Sequence, residues 1–245
     1  MTAARPSPIA GSWYPGSAAA IRAEVDRYLA DVPPLRLEGR LVGLIAPHAG
    51  LRYSGPVAAH AYACLRGRSR LVAVLVGPSH RVAFDGVALY GRGAWETPLG
   101  PARIDEATAA LLLGDRGVVA ADERPHRQEH SLEMQLPFLQ HLVPDLRIVP
   151  LLMGNQSRSQ VDALAAVLAR VAAVEDVLLI ASSDLSHYHP APVANRLDAA
   201  VVDEVSGLRP EGLMDLLEQS HEHACGGGPM VAVMKAAVAA GATTA

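Results

Sequence analysis

The chain has 245 residues, half of them hydrophobic and 19% charged, with a mean hydropathy of +0.19. That balance supplies a sizeable core and excludes both a solvated disordered tail and a membrane bundle. Twenty-one basic and 25 acidic side chains leave a net charge of −4, with no Lys/Arg cluster able to follow a phosphate backbone, so nucleic acid is not an expected partner. The longest apolar runs fall far short of the roughly 20 residues of a membrane helix. Residues 1–16 hold a single Arg, three prolines and no apolar stretch of the kind a secretory signal needs. A cytoplasmic protein without a membrane partner is the expectation. Cys64 and Cys225 are too few, and too far apart in sequence, to suggest a disulfide framework.

No repeat or linker divides the chain, so a single domain over 1–245 is expected. Ile21, Val25, Tyr28 and Leu29 recur at helical spacing and predict a helix over 18–30, closed by Pro33-Pro34. A short aliphatic strand at 41–46 halts at Pro47. A helix is expected over 57–65, a buried strand over 71–76 that stops at Gly77-Pro78, and a short strand at 87–90. Two helices follow at 104–113 and 128–142, the second kinked or interrupted at Pro137. Further on come a strand at 146–153, an amphipathic helix at 161–174, a buried strand at 177–181, and helices at 196–206, 211–218 and 229–240, the last with Pro at its start. Short, fully apolar strands alternating with helices predict an α/β layered fold, because only strands covered on both faces lack polar alternate positions.

Three of these strands end alike. The first runs into Pro47-His48, the second into Gly77-Pro78-Ser79-His80, and the last into Ser182-Ser183-Asp184-Leu185-Ser186-His187. In open α/β sheets the ligand crevice lies beyond the carboxyl ends of the strands, so the three histidines can converge there. Imidazole is the commonest metal ligand and the side chain that titrates nearest neutrality. One such histidine is most often a hydrogen-bonded loop residue; three at equivalent positions favour a site. Cys225, in Ala224-Cys225-Gly226-Gly227-Gly228-Pro229, precedes a helix whose N–H groups and dipole would stabilise a thiolate. A small residue in a glycine turn explains it equally well. The glycines lack the spacing of either phosphate-binding loop.

His126-Arg127-Gln128-Glu129-His130 matches H-x-x-E-H, in which histidines four apart on one helix face hold zinc while the glutamate acts as base. The alternative is a helix N-terminus where Glu129 favours the dipole. No G-x-S-x-G elbow occurs, and Ser182, Ser183 and Ser186 read as loop or capping residues.

The blocks Ala10-Gly11-Ser12-Trp13-Tyr14-Pro15, Ala46-Pro47-His48-Ala49-Gly50 with Tyr53-Ser54-Gly55, Gly77-Pro78-Ser79-His80, Glu129-His130-Ser131-Leu132-Glu133 with Leu136-Pro137-Phe138, Ser182 to His187, and Ala224-Cys225-Gly226 resemble the Memo-like family, and occur in its order. The bacterial branch of that family is called AmmeMemoRadiSam system protein B. The resemblance implies the fold of class III extradiol ring-cleavage dioxygenases: a three-layer α/β protein with a mostly parallel or mixed central sheet, helices on both faces, and non-haem Fe(II) at the carboxyl edge. It implies His48 and His80 as histidine ligands, with Cys225 where the dioxygenases use a carboxylate. His187 takes the place of their acid/base histidine, with Asp184 beside it, and Trp13, Tyr53, Glu129 and His130 belong to the pocket. Fe(II) is the leading cofactor expectation, with Cu or Zn as alternatives. A small molecule or peptide is the expected ligand, and a radical-SAM protein and an AMMECR-like protein are the implied partners. A strand-bearing segment usual in the family is expected to be missing after Gly241-Ala242-Thr243-Thr244-Ala245.

A thiolate in place of a carboxylate is a softer ligand that suits Cu(I) or Zn, so dioxygenase activity does not follow from the fold. Three readings result: a metal-binding protein with redox or oxygen-dependent chemistry on a small substrate, a non-catalytic peptide-, partner- or metal-handling module, and a zinc hydrolase built on His126, Glu129 and His130.

Overall fold

The structure, a computed structural model, describes residues 4–35, 37–114, 117–220 and 222–245. Helix α1 (Ala18–Ala30) buries Ile21, Val25, Tyr28 and Leu29, the residues whose spacing predicts it, and starts where the Ser17 side chain accepts from the Ala20 N–H. Strand β1 (Gly43–Ala46) leads to α2 (Leu51–Tyr62), and β2 (Arg70–Pro78) to the short β3 (Val87–Leu89). A hairpin, β4 (Ala94–Thr97) and β5 (Gly100–Ile104), precedes α3 (Glu106–Leu113) and β6 (Val119–Ala121). Helix α4 (Leu136–Leu142), β7 (Asp145–Met153), α5 (Arg158–Ala172) and β8 (Val177–Ser182) follow, then α6 (Ala191–Ser206), α7 (Pro210–Gln219) and α8 (Gly227–Ala239).

The eight strands form one mixed sheet with the order β1-β8-β2-β7-β3-β6, the β4–β5 hairpin attaching to β7 through β5. Strands β1, β8, β2 and β7 are mutually parallel, while β3 runs antiparallel to β7. Every residue of β8, and all but the first of β2, is buried, which requires cover on both faces. Two helix groups supply it: α1, α2 and α4 pack together, as do α3, α5, α6, α7 and α8. The register pairs Ala46 with Ser182 and Val76 with Ala181, so the carboxyl ends of β1, β8 and β2 finish side by side.

The architecture is the one the alternation predicts, but several elements differ. Helix α2 begins at Leu51, six residues before the expected start, and carries Pro56 inside it; packing on α1 and β1 overrides the boundary that proline suggests. The hairpin and β6 escape periodicity because they are three to five residues long and partly exposed. Asp105 caps α3 by accepting from the Thr108 N–H, so Ile104 ends a strand rather than opening the helix. The expected helix over 128–142 is the largest correction. That stretch contains separate 3-10 turns at Pro125–Gln128 and Glu133–Gln135, and only Leu136–Leu142 is α-helical, with Pro137 in its first turn rather than at a kink. Among the described residues, no helix is long and apolar enough to cross a membrane.

Candidate metal centre

Three strand ends set most of the site. His48 follows β1, His80 follows β2, and Asp184 and His187 lie on the loop after β8. Cys225 immediately precedes Gly226 and α8, and its N–H donates to the Asp184 carbonyl. Gly226 makes that approach feasible: a Cβ there would collide with the Ser182 carbonyl and the Ser183 side chain, and its N–H donates to Ser183 Oγ at 2.9 Å. The glycine therefore draws the thiol onto the end of the strand beside His48.

His48 is 1% exposed. Its Nε2 lies 3.2 Å from Cys225 Sγ and its Nδ1 2.8 Å from Ser182 Oγ. Asp184 Oδ1 accepts from the backbone N–H groups of His48 at 2.7 Å and Ala49 at 3.2 Å, which clamps the turn after β1. Asp184 Oδ2 stands 4.0 Å from Nε2 of both His48 and His187. Glu129 performs the same service for His80: Oε2 accepts its backbone N–H at 2.6 Å, and Oε1 lies 2.9 Å from Nδ1. Oε1 also accepts from the N–H groups of His130 and Ser131.

Donor atoms of His48, His80 and Cys225 all lie within 4.8 Å of one another. Bonds of about 2.0–2.3 Å to a tetrahedral ion separate neighbouring nitrogen and sulfur ligands by roughly 3.3–3.5 Å, close to the His48–Cys225 distance. The donor set and its spacing thus fit a transition ion. Electrostatics agree. Burial raises the pKa of the Cys225 thiol, but the hydrogen bonds and charges of His48 and His80 outweigh it and bring it down to about 6. Burial works against the His80 imidazolium, yet Cys225 and Glu129 hold it, and it titrates near 9. Glu129 drops to about 2: desolvation opposes its charge, but His80 and the Ser131 N–H favour it more.

His130 packs 4.2 Å from the Trp13 ring and 4.6 Å from that of His80, centroid to centroid. Burial, only partly offset by Glu129, lowers it to about 4, so it is neutral at physiological pH; its Nδ1 lies 3.2 Å from Glu129 Oε1 without forming a hydrogen bond. Trp13 and His130, their rings tilted by 37°, thus stand together beside the donors. Tyr53, on the first turn of α2, is 76% exposed, and the His187 side chain is 43% exposed. On its other side Cys225 borders a cleft of about 570 Å³ walled by Gln156, Arg158, Leu217 and Gly228.

The zinc-hydrolase geometry does not form. Glu129 has extended φ/ψ of −83° and 139°, so the helix face that would align His126 with His130 is absent. His126 is fully buried elsewhere, its Nε2 3.0 Å from the Ala88 carbonyl and its ring packed on Tyr90 and Trp95. Burial lowers it to about 3, and it supplies no donor to either metal-compatible cluster among the described residues, that of His48, His80 and Cys225 or that of His80, Glu129 and His130.

Sequence reasoning missed the supports behind the site. Arg5, the lone arginine of the first sixteen residues, reaches into the interior. It pairs with Glu133, donates to the carbonyls of His126 and Glu129, and lies 4.0 Å over the Trp95 ring. Ser182, expected to be a loop or capping residue, is a fully buried strand end hydrogen-bonded to His48 and Gln135. No local motif marks these partners, because each contact spans a long stretch of chain.

The fold and this edge define a class: an α/β protein with two imidazoles and a thiol gathered beyond adjacent parallel strands. The sequence pattern of the Memo-like protein family matches residues 5–245, and the chain belongs to that family. It is 34% identical to the MEMO1 family protein MTH_45 of Methanothermobacter thermautotrophicus over 251 residues, covering 96% of this chain and 88% of that one. A MEMO1 family protein of Sulfurisphaera tokodaii is 33% identical over 240 residues, 92% of this chain and 84% of the other. One from Methanobrevibacter smithii is 36% identical over 197 residues, 79% and 70% respectively.

Proposed function

We propose that the protein binds a transition metal through His48, His80 and Cys225 and uses it for redox or oxygen-dependent chemistry on a small substrate. The observation that supports this most directly is the gathering of those three donors within 4.8 Å, with further groups of the chain arranged around them. Fe(II) is the proposed ion on the family likeness; the thiolate makes Cu(I) its main competitor. Such an ion would supply electron transfer and Lewis acidity.

The chain's own residues do the rest. Glu129 and Asp184 hold the turns that carry the two imidazoles, and Glu129 also fixes the ring of His80. His187, exposed enough to reach solvent and near Asp184, is placed to exchange a proton with a bound molecule at Nε2. The tilted Trp13–His130 ring pair offers an aromatic side to that molecule. A non-catalytic, metal-handling role is the second reading, favoured by the cysteine ligand.

Anaerobic titration with Fe(II), Cu(I) and Zn(II), with metal quantified after desalting, tests the site. About one ion per chain is expected for the wild type, with at least tenfold weaker binding in His48→Ala, His80→Ala and Cys225→Ser, and no loss in His126→Ala. Equal retention by wild type and all three ligand variants would refute the assignment. Metal retention without oxygen-dependent turnover of small phenolic substrates would favour the metal-handling role.

A further inference from the structure

Helix α8 opens without a cap of its own, because its N-cap residue, Gly226, has no side chain to accept from the N–H groups of the first turn. The cap comes from elsewhere in the chain. In the cleft that borders Cys225, Gln156 Oε1 accepts from the Gly228 N–H at 2.7 Å, and Gln156 Nε2 donates to the Cys225 carbonyl at 2.9 Å. Gln156 lies on the segment between β7 and α5. One side chain thus holds both the residue before the N-cap and the second residue of the helix.

The two contacts explain why the residue is an amide. A backbone N–H can only give and a carbonyl can only receive, so the pair fixes which end of the carboxamide faces which. A carboxylate would set a second acceptor against the Cys225 carbonyl, and an ammonium would leave the Gly228 N–H unserved. Gly228 gives the amide its room: a Cβ there would come within 2.9 Å of Gln156 Cβ and Oε1. The segment that carries Gln156 is itself pinned. The Gly154 N–H donates to the Gly86 carbonyl at 3.0 Å, the Asn155 N–H to the Phe84 carbonyl at 2.9 Å, and the Ser157 N–H to Asn155 Oδ1 at 2.9 Å.

We infer that Gln156 is a positioning residue of the site, clamping the start of α8 to the end of β7 and so holding the Cys225 sulfur at the sheet edge where His48 and His80 stand. The loop after β8 supplies the opposite grip, with the Cys225 N–H donating to the Asp184 carbonyl and the Gly226 N–H to Ser183 Oγ. Strands β8 and β7 are the two neighbours of β2, the strand that delivers His80. The thiol is therefore held from both sides of the strand whose histidine it faces. A turn rich in glycine is otherwise free to swing, and the double grip removes that freedom before any ion arrives. The clamp stands without a metal, but its consequence rests on Cys225 being a ligand.

Two readouts on the full chain test it. In the metal-free protein, 15N–1H NMR should show the Gly228 amide protected from solvent exchange, and Gln156→Ala should speed that exchange about tenfold or more while the amides of β2 and β8 stay unmoved. In protein loaded with Co(II), the thiolate-to-cobalt charge-transfer absorption in the near ultraviolet reports the sulfur–metal bond. Gln156→Ala should lose about half or more of that absorption per bound ion and bind Co(II) roughly 10–100-fold more weakly. Gln156→Glu keeps the contact with Gly228 and loses the one with Cys225, so it should weaken cobalt binding with the amide still protected; it serves if Gln156→Ala does not fold. Gly228→Ala displaces Gln156 without replacing it and should reduce the cobalt absorption likewise, although alanine ordinarily favours a helix over glycine. Asp105→Ala, which removes the cap of α3, is the control for lost stability and should leave both readouts at the wild-type level.

Wild-type cobalt absorption and affinity in both Gln156→Ala and Gly228→Ala would overturn the inference. So would a Gly228 amide that exchanges freely in the wild type, or an equal loss of both readouts in Asp105→Ala. Amide protection that is lost on Gln156→Ala, in a chain whose cobalt shows no thiolate band even in the wild type, would uphold the clamp and refute Cys225 as a ligand, so the two can fail separately.

Discussion

The same functional group behaves in opposite ways at two places in this chain. Cys64, in the 3-10 turn after α2, is raised above its ordinary pKa by burial, its neighbouring backbone and Arg68 only partly offsetting this. Cys225 is more deeply surrounded, yet His48 and His80 bring it down to about 6. Because His80 is raised to about 9, the pair stands as thiolate and imidazolium between those values in the metal-free protein. The signs are opposite at the two limits. A thiol depressed in the folded state loses its contribution to stability as pH falls through about 6, and a raised imidazole loses its own as pH rises through about 9. Iodoacetamide reacts with the thiolate. In metal-free protein, alkylation of Cys225 followed by mass spectrometry should reach half its maximal rate near pH 6, and that of Cys64 only above the pH at which an ordinary thiol ionises. Coincident profiles for the two cysteines would show that the histidines do not activate Cys225.

At the scale of elements, the stretch from Pro125 to Leu142 shows how tertiary contacts overrule a local pattern. Its apolar spacing and H-x-x-E-H pattern predict one helix, but a helix would point Glu129 along the same face as His126. The extended residue at 129 instead turns its carboxylate to His80 and releases the carbonyl of Glu129 to Arg5. Arg5 and Glu133 are buried together, and the Ser7 and Tyr14 hydroxyls also donate to the Glu133 carboxylate. Removing one member of such a pair leaves a charge without its partner, which costs about 3–5 kcal/mol. Arg5→Met should therefore lower unfolding stability in urea by that amount and loosen the Glu129 turn. Arg5→Met combined with Glu133→Leu should recover much of the loss. A single variant within about 1 kcal/mol of wild type would show that the pair does not hold this segment.

For the whole molecule, what was legible in the sequence was whatever depends on strand order and strand ends. Fully apolar runs identify the central parallel strands, and parallel strands bring their carboxyl ends to one edge, so His48, His80 and His187 could be placed together before any contact was known. Cys225 needed the family likeness, since nothing local says that Gly226 packs against Ser182 and Ser183. Ser182, Gln135, Tyr62, Arg5 and Glu133 were not legible, because a buried polar residue looks like any other polar residue until its distant partner is known. Those distant contacts also decide how a metal should act on the fold. The donors come from the ends of two strands and the start of the last helix, on segments 32 and 145 residues apart in sequence, from 48 to 80 and from 80 to 225. An ion bound there ties together parts of the chain that separate on unfolding, and it binds the unfolded chain weakly by comparison. At a free concentration 100 times its Kd it should add about 2.7 kcal/mol, which for a chain of this size is a rise in Tm of roughly 5–10 °C. Calorimetry with increasing Zn(II) should show that rise in wild type and in His126→Ala, and no more than about half of it in Cys225→Ser. An equal rise in Cys225→Ser would mean that the stabilising ion sits elsewhere on the protein, and the edge of the sheet would lose its claim to be the metal centre.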